Sequence, residues 1–334
     1  MIEISRDFAA EHAARFDDAL ELAKNEFKSL DADAQYTNAF ARLLKWDPLD
    51  RVAMLGTDQR ELFIPVLKPL IRAQRSATSD AFSFFDIGCG DGQTFALVAD
   101  ELPDAATVVI LDCNAYYLSQ YETAVRASGR LQVGQSICAP FLPDTRVEEP
   151  GGFDLILAIH VLYYFDESLE SLVRIYALLK PGGAAFIVFA DEKTAYTGQA
   201  LRAYHRAAGD AAFLAAFDET CDRRRRLLLP DAAGMCELQS HLDERFPASR
   251  ARLRSEVQAS RLYGHTLTDI LALSLITGLD RVETLAKFDA VMDLLRTQPE
   301  AVGLRIERGG NPAREGMFSV VQSQVVVEIR REPS

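Results

Sequence analysis

The chain has 334 residues, 49% of them hydrophobic, which allows a large core domain with substantial additions. Asp plus Glu number 49 against 36 Lys plus Arg, a net charge of −13, and such a surface repels phosphate backbones and argues against a nucleic-acid partner. The five cysteines, Cys89, Cys113, Cys138, Cys221 and Cys236, form no CxxC pair and are odd in number, so neither a disulfide framework nor a metal site is expected and the chain reads as reduced and cytoplasmic.

The opening stretch MIEISRDFAAEHAARF is charged and amphipathic, unlike an apolar leader, and no segment approaches the roughly 18 apolar residues that would span a bilayer. Phe8, His12, Phe16, Leu20, Ala23 and Phe27 repeat at helical spacing across residues 7–30. A second helix is expected over 36–44, ended by the breaker WDPLD, and a third over 59–75, kinked at Pro65. Polar SATSD at 76–80 marks a boundary. From residue 82 the character changes, and short apolar runs alternate with helical patterns. Strands are expected at 82–88, 106–112, 132–138, 153–162 and 184–190, and helices at 93–102, 116–128 and 168–179, the last stopped at LKPGG. Residues 193–300 return to helical patterns, where the run Arg223, Arg224, Arg225 and Arg226 reads as a solvated face. Two strands close the chain, 303–308 and 319–330, on either side of a Gly-Gly-Asn-Pro turn.

Strand–helix alternation of this kind implies an α/β, doubly wound, mostly parallel sheet. We therefore expect an N-terminal helical cap over 1–80, a Rossmann-like core over 81–192, a helical lid or substrate insertion over 193–300, and a strand pair within 301–330 that completes the core sheet.

The strongest local pattern is Asp86-Ile87-Gly88-Cys89-Gly90-Asp91-Gly92, between a strand and a helix. Glycines allow a tight turn and a close ligand approach, and the helix N-terminus behind them offers free N–H groups. A dinucleotide site would show GxGxxG, whereas Gly88, Gly90 and Gly92 give GxGxG, and a carboxylate at Asp86 would repel a pyrophosphate. It suits instead a cationic ligand such as S-adenosylmethionine, which carries an ammonium and a sulfonium. Asp112 closes the next strand, at the distance where an acid reaches ribose hydroxyls.

This region resembles the class I, Rossmann-like methyltransferases. The resemblance implies a seven-stranded sheet whose last two strands form an antiparallel hairpin, with the helical insertion placed before them. It also implies that residues 88–92 hold the methionine moiety, that Asp112 holds the ribose, and that Ser136, Ile137 and Cys138 lie near the adenine, with Asp86 and Ile159 among the cofactor contacts. Many members carry an acid after the third strand; here the stretch is SICAPF, without one.

A closer resemblance is to the histamine N-methyltransferase family. Ile159-His160-Val161-Leu162-Tyr163-Tyr164, at a strand end, looks like that family's xLYY segment. Tyr36-Thr37-Asn38-Ala39-Phe40 resembles its YxxxF segment, Gly56-Thr57-Asp58 sits where it carries an acid, and Ala313-Arg314-Glu315-Gly316 followed by Gln322 resembles its closing ARxEG-plus-strand segment. Carried over, Tyr36, Phe40, Tyr163 and Tyr164 would form an aromatic acceptor pocket, with Asp58 anchoring a cation. His160 stands in place of a glutamine, Gln322 in place of an asparagine, and Tyr117 in place of a glutamine that helps hold the cofactor, so both polar contacts to the acceptor ring are altered. Plainer readings stand beside these: Tyr163 and Tyr164 as core aromatics, His160 as a core histidine, Asp58 as a helix cap.

The expected activity is methyl transfer from S-adenosylmethionine to a small molecule, leaving S-adenosylhomocysteine. An amine or amino-acid-like acceptor leads, with a methionine-like thioether, or a small acid or phenol, as alternatives. His160 would accept the acceptor's proton and Tyr164 would face the sulfonium. A non-catalytic partner protein that binds the cofactor is the reading from a different class. Neither a membrane nor a nucleic acid is expected as partner.

Overall fold

The structure is a computed structural model that describes residues 13–44, 54–77, 81–148, 151–165, 168–232, 234–276 and 283–333. Its strands in chain order are β1 Ser83–Ile87, β2 Thr107–Asp112, β3 Gln132–Cys138, β4 Phe153–Ile159, β5 Leu179–Ala190, β6 Ala251–Gln258, β7 Arg261–Gly264, β8 Arg305–Ile306, β9 Phe318–Val321 and β10 Gln324–Arg331. The chain divides into two compact units, one of Phe63–Phe189, Arg223–Val257 and Val325–Ser334, the other of Met1–Leu62, Ala190–Asp222 and Gln258–Gln324.

The first unit is built on a seven-stranded sheet in the order β3-β2-β1-β4-β5-β10-β6. The four pairings from β3 to β5 are parallel. This is the expected doubly wound, mostly parallel arrangement, and the strand order turns back between β1 and β4, where such sheets open a crevice at their C-terminal ends. The central strands β1, β2 and β4 are nearly continuous apolar runs because both faces are covered. Alternate residues enter two separate cores. Phe84, Val108, Ile110, Leu155, Leu157, Phe186 and Val188 pack with Phe63, Leu67, Ile71, Tyr121 and Val125. Phe85, Val109, Leu111, Ile156, Ile187 and Phe189 pack on the other side with Leu172, Ile175, Tyr176, Leu238 and Leu242. Phe84, Phe85, Phe153 and Phe186 are wholly buried, and a buried phenylalanine contributes about 1.5–3 kcal/mol.

Several boundaries differ from the sequence expectation. The helix expected at 59–75 runs Gln59–Ala77 with both Pro65 and Pro69 inside it, and both prolines are solvent-exposed. The 93–102 helix splits into Gln93–Ala96 and a 3-10 turn at Ala99–Glu101. The strand expected to 162 ends at Ile159, and Leu162–Tyr164 form a 3-10 turn.

The terminal strands need a larger correction. Residues 303–308 stay outside the seven-stranded sheet, whose rim position is taken by β6, so the 193–300 segment is not purely helical. In β6, Arg252, Arg254 and Glu256 are exposed while Ala251 is buried. A rim strand has fewer neighbours to pack against, so its sequence keeps charges where a central strand would carry valine or isoleucine, and those charges discourage further strand pairing. Residues 319–330 also divide: β9 joins β7 and β8 in a three-stranded sheet, while β10 enters the large one. The WDPLD and SATSD breakers lie wholly or partly outside the described residues, as do residues 7–12 of the first expected helix.

The second unit packs the helices Ala13–Phe27, Ala32–Leu43, Tyr196–Ala207, Leu267–Leu273 and Thr284–Thr297 around one apolar core that includes Phe16, Phe27, Ile270, Phe288, Val291 and Leu295. Phe27 and Phe288 meet edge-to-face at 5.4 Å. The Asp31 carboxylate caps its helix by accepting from Ala34 N–H at 2.8 Å, and Thr266 with Asp269 forms a reciprocal capping box. The antiparallel sheet β7-β9-β8 lies against this core through Leu262, Phe318 and Val320.

Candidate functional site

The glycine loop follows β1 without an intervening residue. Gly88, Gly90 and Gly92 all have left-handed backbones, at φ 63°, 55° and 83°. That conformation is cheap for glycine and costly for other residues. Their surroundings differ. A Cβ on Gly88 would stand 2.2 Å from Cγ1 of Val161, and one on Gly92 would stand 2.9 Å from Cδ2 of Tyr121. A Cβ on Gly90 would meet nothing within 4 Å. The two flanking glycines are therefore required by packing, and the middle one faces open space.

The loop is fixed from β2. Leu111 O accepts from Gly88 N–H at 2.7 Å and from Cys89 N–H at 3.1 Å. One oxygen of Asp112 accepts from Gly90 N–H at 3.0 Å and the other from Asn114 N–H at 2.8 Å. Asn114 caps the helix Ala115–Ala127, its Oδ1 accepting from Tyr116 N–H at 3.0 Å. Asp112 thus ties the loop to the start of that helix.

Asp86 is 5% exposed, in the apolar wall formed by its sheet face. Tyr121 donates its hydroxyl to Asp86 Oδ2 at 2.9 Å. Burial pushes the Asp86 carboxyl up to about 7, the Tyr121 hydrogen bond opposes that rise, and the Asp112 charge adds to it. Burial, then Asp86 and Asp112, also raise the Cys89 thiol. A cation arriving beside these two carboxylates would relieve both effects, and a phosphate would aggravate them. Tyr121 escaped the sequence reading. Its only signal was the buried helical spacing Leu118, Tyr121 and Val125.

The other expected cofactor residues lie at the C-terminal ends of the neighbouring strands β3 and β4 and in the helix after β2. Ser136 and Ile137 on β3 pair with Ile110 and Leu111 of β2; Ser136 is exposed and Ile137 half-buried. Ile159 ends β4 beside Val188. Tyr117, 40% exposed, stands in the first turn of the helix Ala115–Ala127, its ring 6.1 Å from that of Tyr116. His160 follows Ile159 with φ 56°, one of two non-glycine residues in the left-handed region among the described residues. Its N–H donates to Val188 O at 2.6 Å, and its ring meets Phe63 at 6.5 Å. Backbone strain of this sort, at about 1–3 kcal/mol, is found where a side chain must be aimed. Tyr164 is 54% exposed, which sets aside its reading as a core aromatic. The Tyr163 side chain lies outside the described residues.

The remaining expected acceptor residues belong to the helical unit. Tyr36 and Phe40 stack at 5.6 Å, one helical turn apart, both half-buried. Asp58 is already engaged: Oδ1 accepts from Arg261 N–H at 2.6 Å and Oδ2 from the Tyr263 hydroxyl at 2.7 Å. Burial raises its carboxyl; those two hydrogen bonds and the Arg314 charge hold the rise in check. Arg314 is 5% exposed, donates to Met54 O at 2.6 Å and Thr57 O at 2.9 Å, pairs with Glu61, and lies 4.3 Å from the Tyr263 ring centroid. The ARxEG arginine therefore organises the loop that carries Asp58. Gln322 is 3% exposed, with Nε2 donating to Thr197 Oγ1 at 2.9 Å and Oε1 accepting from Thr197 N–H at 3.2 Å. Both ends of its amide are bonded to Thr197, so in this structure it braces the start of the helix Tyr196–Ala207.

Among the described residues no group of three or more His, Cys, Asp or Glu is placed to hold a metal, and no helix is long and apolar enough to cross a membrane.

Residues 85–185 match the family described as methyltransferase domain. Two curated relatives are similar in sequence. A trans-aconitate 2-methyltransferase of Methylobacterium radiotolerans is 32% identical over 118 residues, 35% of this chain and 42% of that protein. A trans-aconitate 2-methyltransferase of Variovorax paradoxus is 28% identical over 188 residues, 56% of this chain and 65% of that protein. The chain thus spans less than two thirds of the length of either. Among solved structures, the plantazolicin methyltransferase BamL, in complex with a triazolic desmethylPZN analog and SAH, covers 96% of this chain and 98% of its own at 14% identity and a TM-score of 0.42. The YcgJ protein of Bacillus subtilis covers 80% of this chain and 99% of its own at 11% identity and a TM-score of 0.43. Likeness at this level bears on neither ligand nor activity.

Proposed function

We propose that this chain is an S-adenosylmethionine-dependent methyltransferase acting on a small-molecule acceptor. The observation that carries the reading is Gly90: a left-handed residue with open space where a Cβ would stand, its N–H held by Asp112 and a buried Asp86 near by. A loop built this way suits a ligand that combines cationic charge with a ribose. Residues 88–92 would hold its methionine part, Asp112 the ribose hydroxyls, and Ser136, Ile137, Ile159 and Tyr117 the rest of the nucleoside. When bound, the cofactor supplies a methyl group already activated on a sulfonium.

The chain's own task is then to bind, orient and exclude water. Asp86, ionised, favours the cationic end. His160 accepts a proton from an amine or hydroxyl acceptor, the general-base role an imidazole can fill. Tyr164 presents a ring face to positive charge.

For the acceptor, N-methylation of an amine relies on Asp58 as the cation anchor, where the charge of Arg314 already serves the carboxylate and would repel an ammonium. O-methylation of a small carboxylic acid is the second reading. The two curated relatives, both trans-aconitate 2-methyltransferases, favour it. A carboxylate is already ionised at neutral pH and needs no base, so His160 would only position it.

Calorimetric titration of S-adenosylmethionine, followed by a turnover screen of amines, thioethers and small acids read as S-adenosylhomocysteine, tests both levels. Binding with turnover on one class establishes the reaction. Binding without turnover leaves a cofactor-binding partner protein, and no binding refutes the proposal.

A further inference from the structure

Two thiols stand at the rim of the proposed cofactor crevice, and one of them, Cys138, belongs to the stretch expected near the adenine. Cys113 follows Asp112, the last residue of β2, and Cys138 ends β3. Asp112 and Cys138 are direct partners across the parallel ladder. Cys113 leaves the ladder in a bend directly after Asp112, which frees it from the strict alternation of faces, and by ordinary strand spacing and rise its Cα lies roughly 6 Å from that of Cys138. That is inside the range of about 4.4–6.8 Å that a disulfide spans. The Cys138 Sγ reaches 3.6 Å from the Cys113 carbonyl oxygen, and both residues are exposed. Cys221 and Cys236 are buried and Cys89 is half-buried, so a solvent-borne oxidant meets Cys113 and Cys138 first.

We propose that Cys113 and Cys138 are a redox-modifiable pair, closed to an intramolecular disulfide by a peroxide, and that closing it weakens ligand binding at the Asp112 turn. The chemistry balances. One sulfur attacks the O–O bond of hydrogen peroxide, an S–O bond forms, and the displaced hydroxide leaves as water with the thiol proton. The second sulfur then attacks this sulfenic sulfur, the S–S bond forms, and a second water departs. The two sulfurs together lose two electrons, which the peroxide gains. Partial burial, then the charges of Asp112 and Cys138, raise the Cys113 thiol, so its attack draws on a small thiolate fraction and the oxidation is slow.

The consequence for binding follows from position. Cys113 lies between Asp112, whose oxygens hold Gly90 N–H and Asn114 N–H, and Asn114, which caps the next helix. Drawing Cys113 toward β3 moves the backbone that presents the Asp112 carboxylate. This second half rests on the cofactor reading above; the thiol pairing does not.

The test uses the full chain, reduced and then treated with hydrogen peroxide, with peptides mapped by mass spectrometry and S-adenosylmethionine titrated by calorimetry before oxidation, after it, and after re-reduction. The expected result is a linked Cys113–Cys138 peptide lighter by two hydrogens. Affinity should fall about tenfold, the loss of one charge-assisted hydrogen bond, and recover with reductant. Cys113→Ser should give neither the linked peptide nor an oxidant-dependent change in affinity. Sulfinic acids on separate cysteines without a linked peptide would overturn the pairing. A linked peptide with unchanged affinity would overturn the gating. If the reduced chain does not bind S-adenosylmethionine, the cofactor reading and the gating fall together, while the peptide map still decides the pairing.

Discussion

Alanine at Gly90 and alanine at Gly92 impose the same kind of backbone strain and meet different surroundings. Holding a non-glycine residue in the left-handed region costs about 1 kcal/mol or slightly more. At Gly90 little is added, because the new Cβ has nothing within 4 Å. Gly90→Ala should therefore lower Tm by roughly 2–4 °C, the shift that about 1 kcal/mol gives in a domain of this size. At Gly92 the Cβ would stand 2.9 Å and 3.0 Å from two ring carbons of Tyr121, a wholly buried residue that cannot swing away. Overpacking of that kind costs a further 1–3 kcal/mol or so, and it also disturbs the hydroxyl that Tyr121 donates to Asp86. The order reverses for binding selectivity. In Gly90→Ala the methyl group occupies the space assigned to the ligand, so affinity for S-adenosylmethionine should fall at least about tenfold, or about 1.4 kcal/mol, in a nearly intact protein. Thermal unfolding and calorimetric titration of both variants measure the two quantities separately. Wild-type affinity in Gly90→Ala would refute the placement of the ligand, and equal destabilisation in the two variants would refute the packing argument.

Asp86, whose carboxyl is pushed up to about 7 in the folded chain, binds more protons folded than unfolded. Its contribution to stability is fully present below the ordinary carboxylate value and is lost as pH rises through about 7, so Asp86→Asn should flatten that part of the stability–pH curve. Binding of the cationic cofactor should have the opposite dependence, strengthening as pH rises through about 7; calorimetry on either side of that value checks it, and a pH-independent affinity would count against Asp86. Asp112→Asn keeps the shape of the side chain but removes the charge, and affinity should fall by about 1.5–3 kcal/mol, the range for a hydrogen bond to a charged group. Asp58→Asn should cost about 1–3 kcal/mol in urea unfolding, because the Arg261 N–H and Tyr263 hydroxyl lose a charged acceptor. Unchanged stability with a raised acceptor KM would return Asp58 to the role of substrate anchor.

What could be read from the sequence was local. The Asp86-to-Gly92 loop, Asp112 and the strands around them are specified within a few residues of one another, and apolar runs buried on both faces announce themselves. The rim strand β6 did not, because its exposed face carries Arg252, Arg254 and Glu256, and a charged stretch rich in Arg and Leu passes for a solvated helix. Its period-two alternation was the available signal. The break between β9 and β10 was hidden for another reason. Gln322 and Gln324 look like outward positions of one strand, and only partners distant in sequence, Thr197 for the first and Gln59 and Gln258 for the second, make them buried. The same limit applies to Asp58. A resemblance suggests which residue stands at a position, but long-range contacts decide whether its oxygens are still available.

The Asp112 turn bears on the thermodynamics of ligand entry. Both carboxylate oxygens are hydrogen-bonded to backbone N–H groups before any ligand arrives, so the loop has little conformational entropy left to lose on association. Amide hydrogens of Gly88, Cys89 and Gly90 should accordingly exchange slowly in the free protein, and saturation with ligand should slow them only modestly further. A crevice organised in this way selects its ligand by the shape and charge already built into it, and the free energy of contact goes to affinity instead of to ordering the chain.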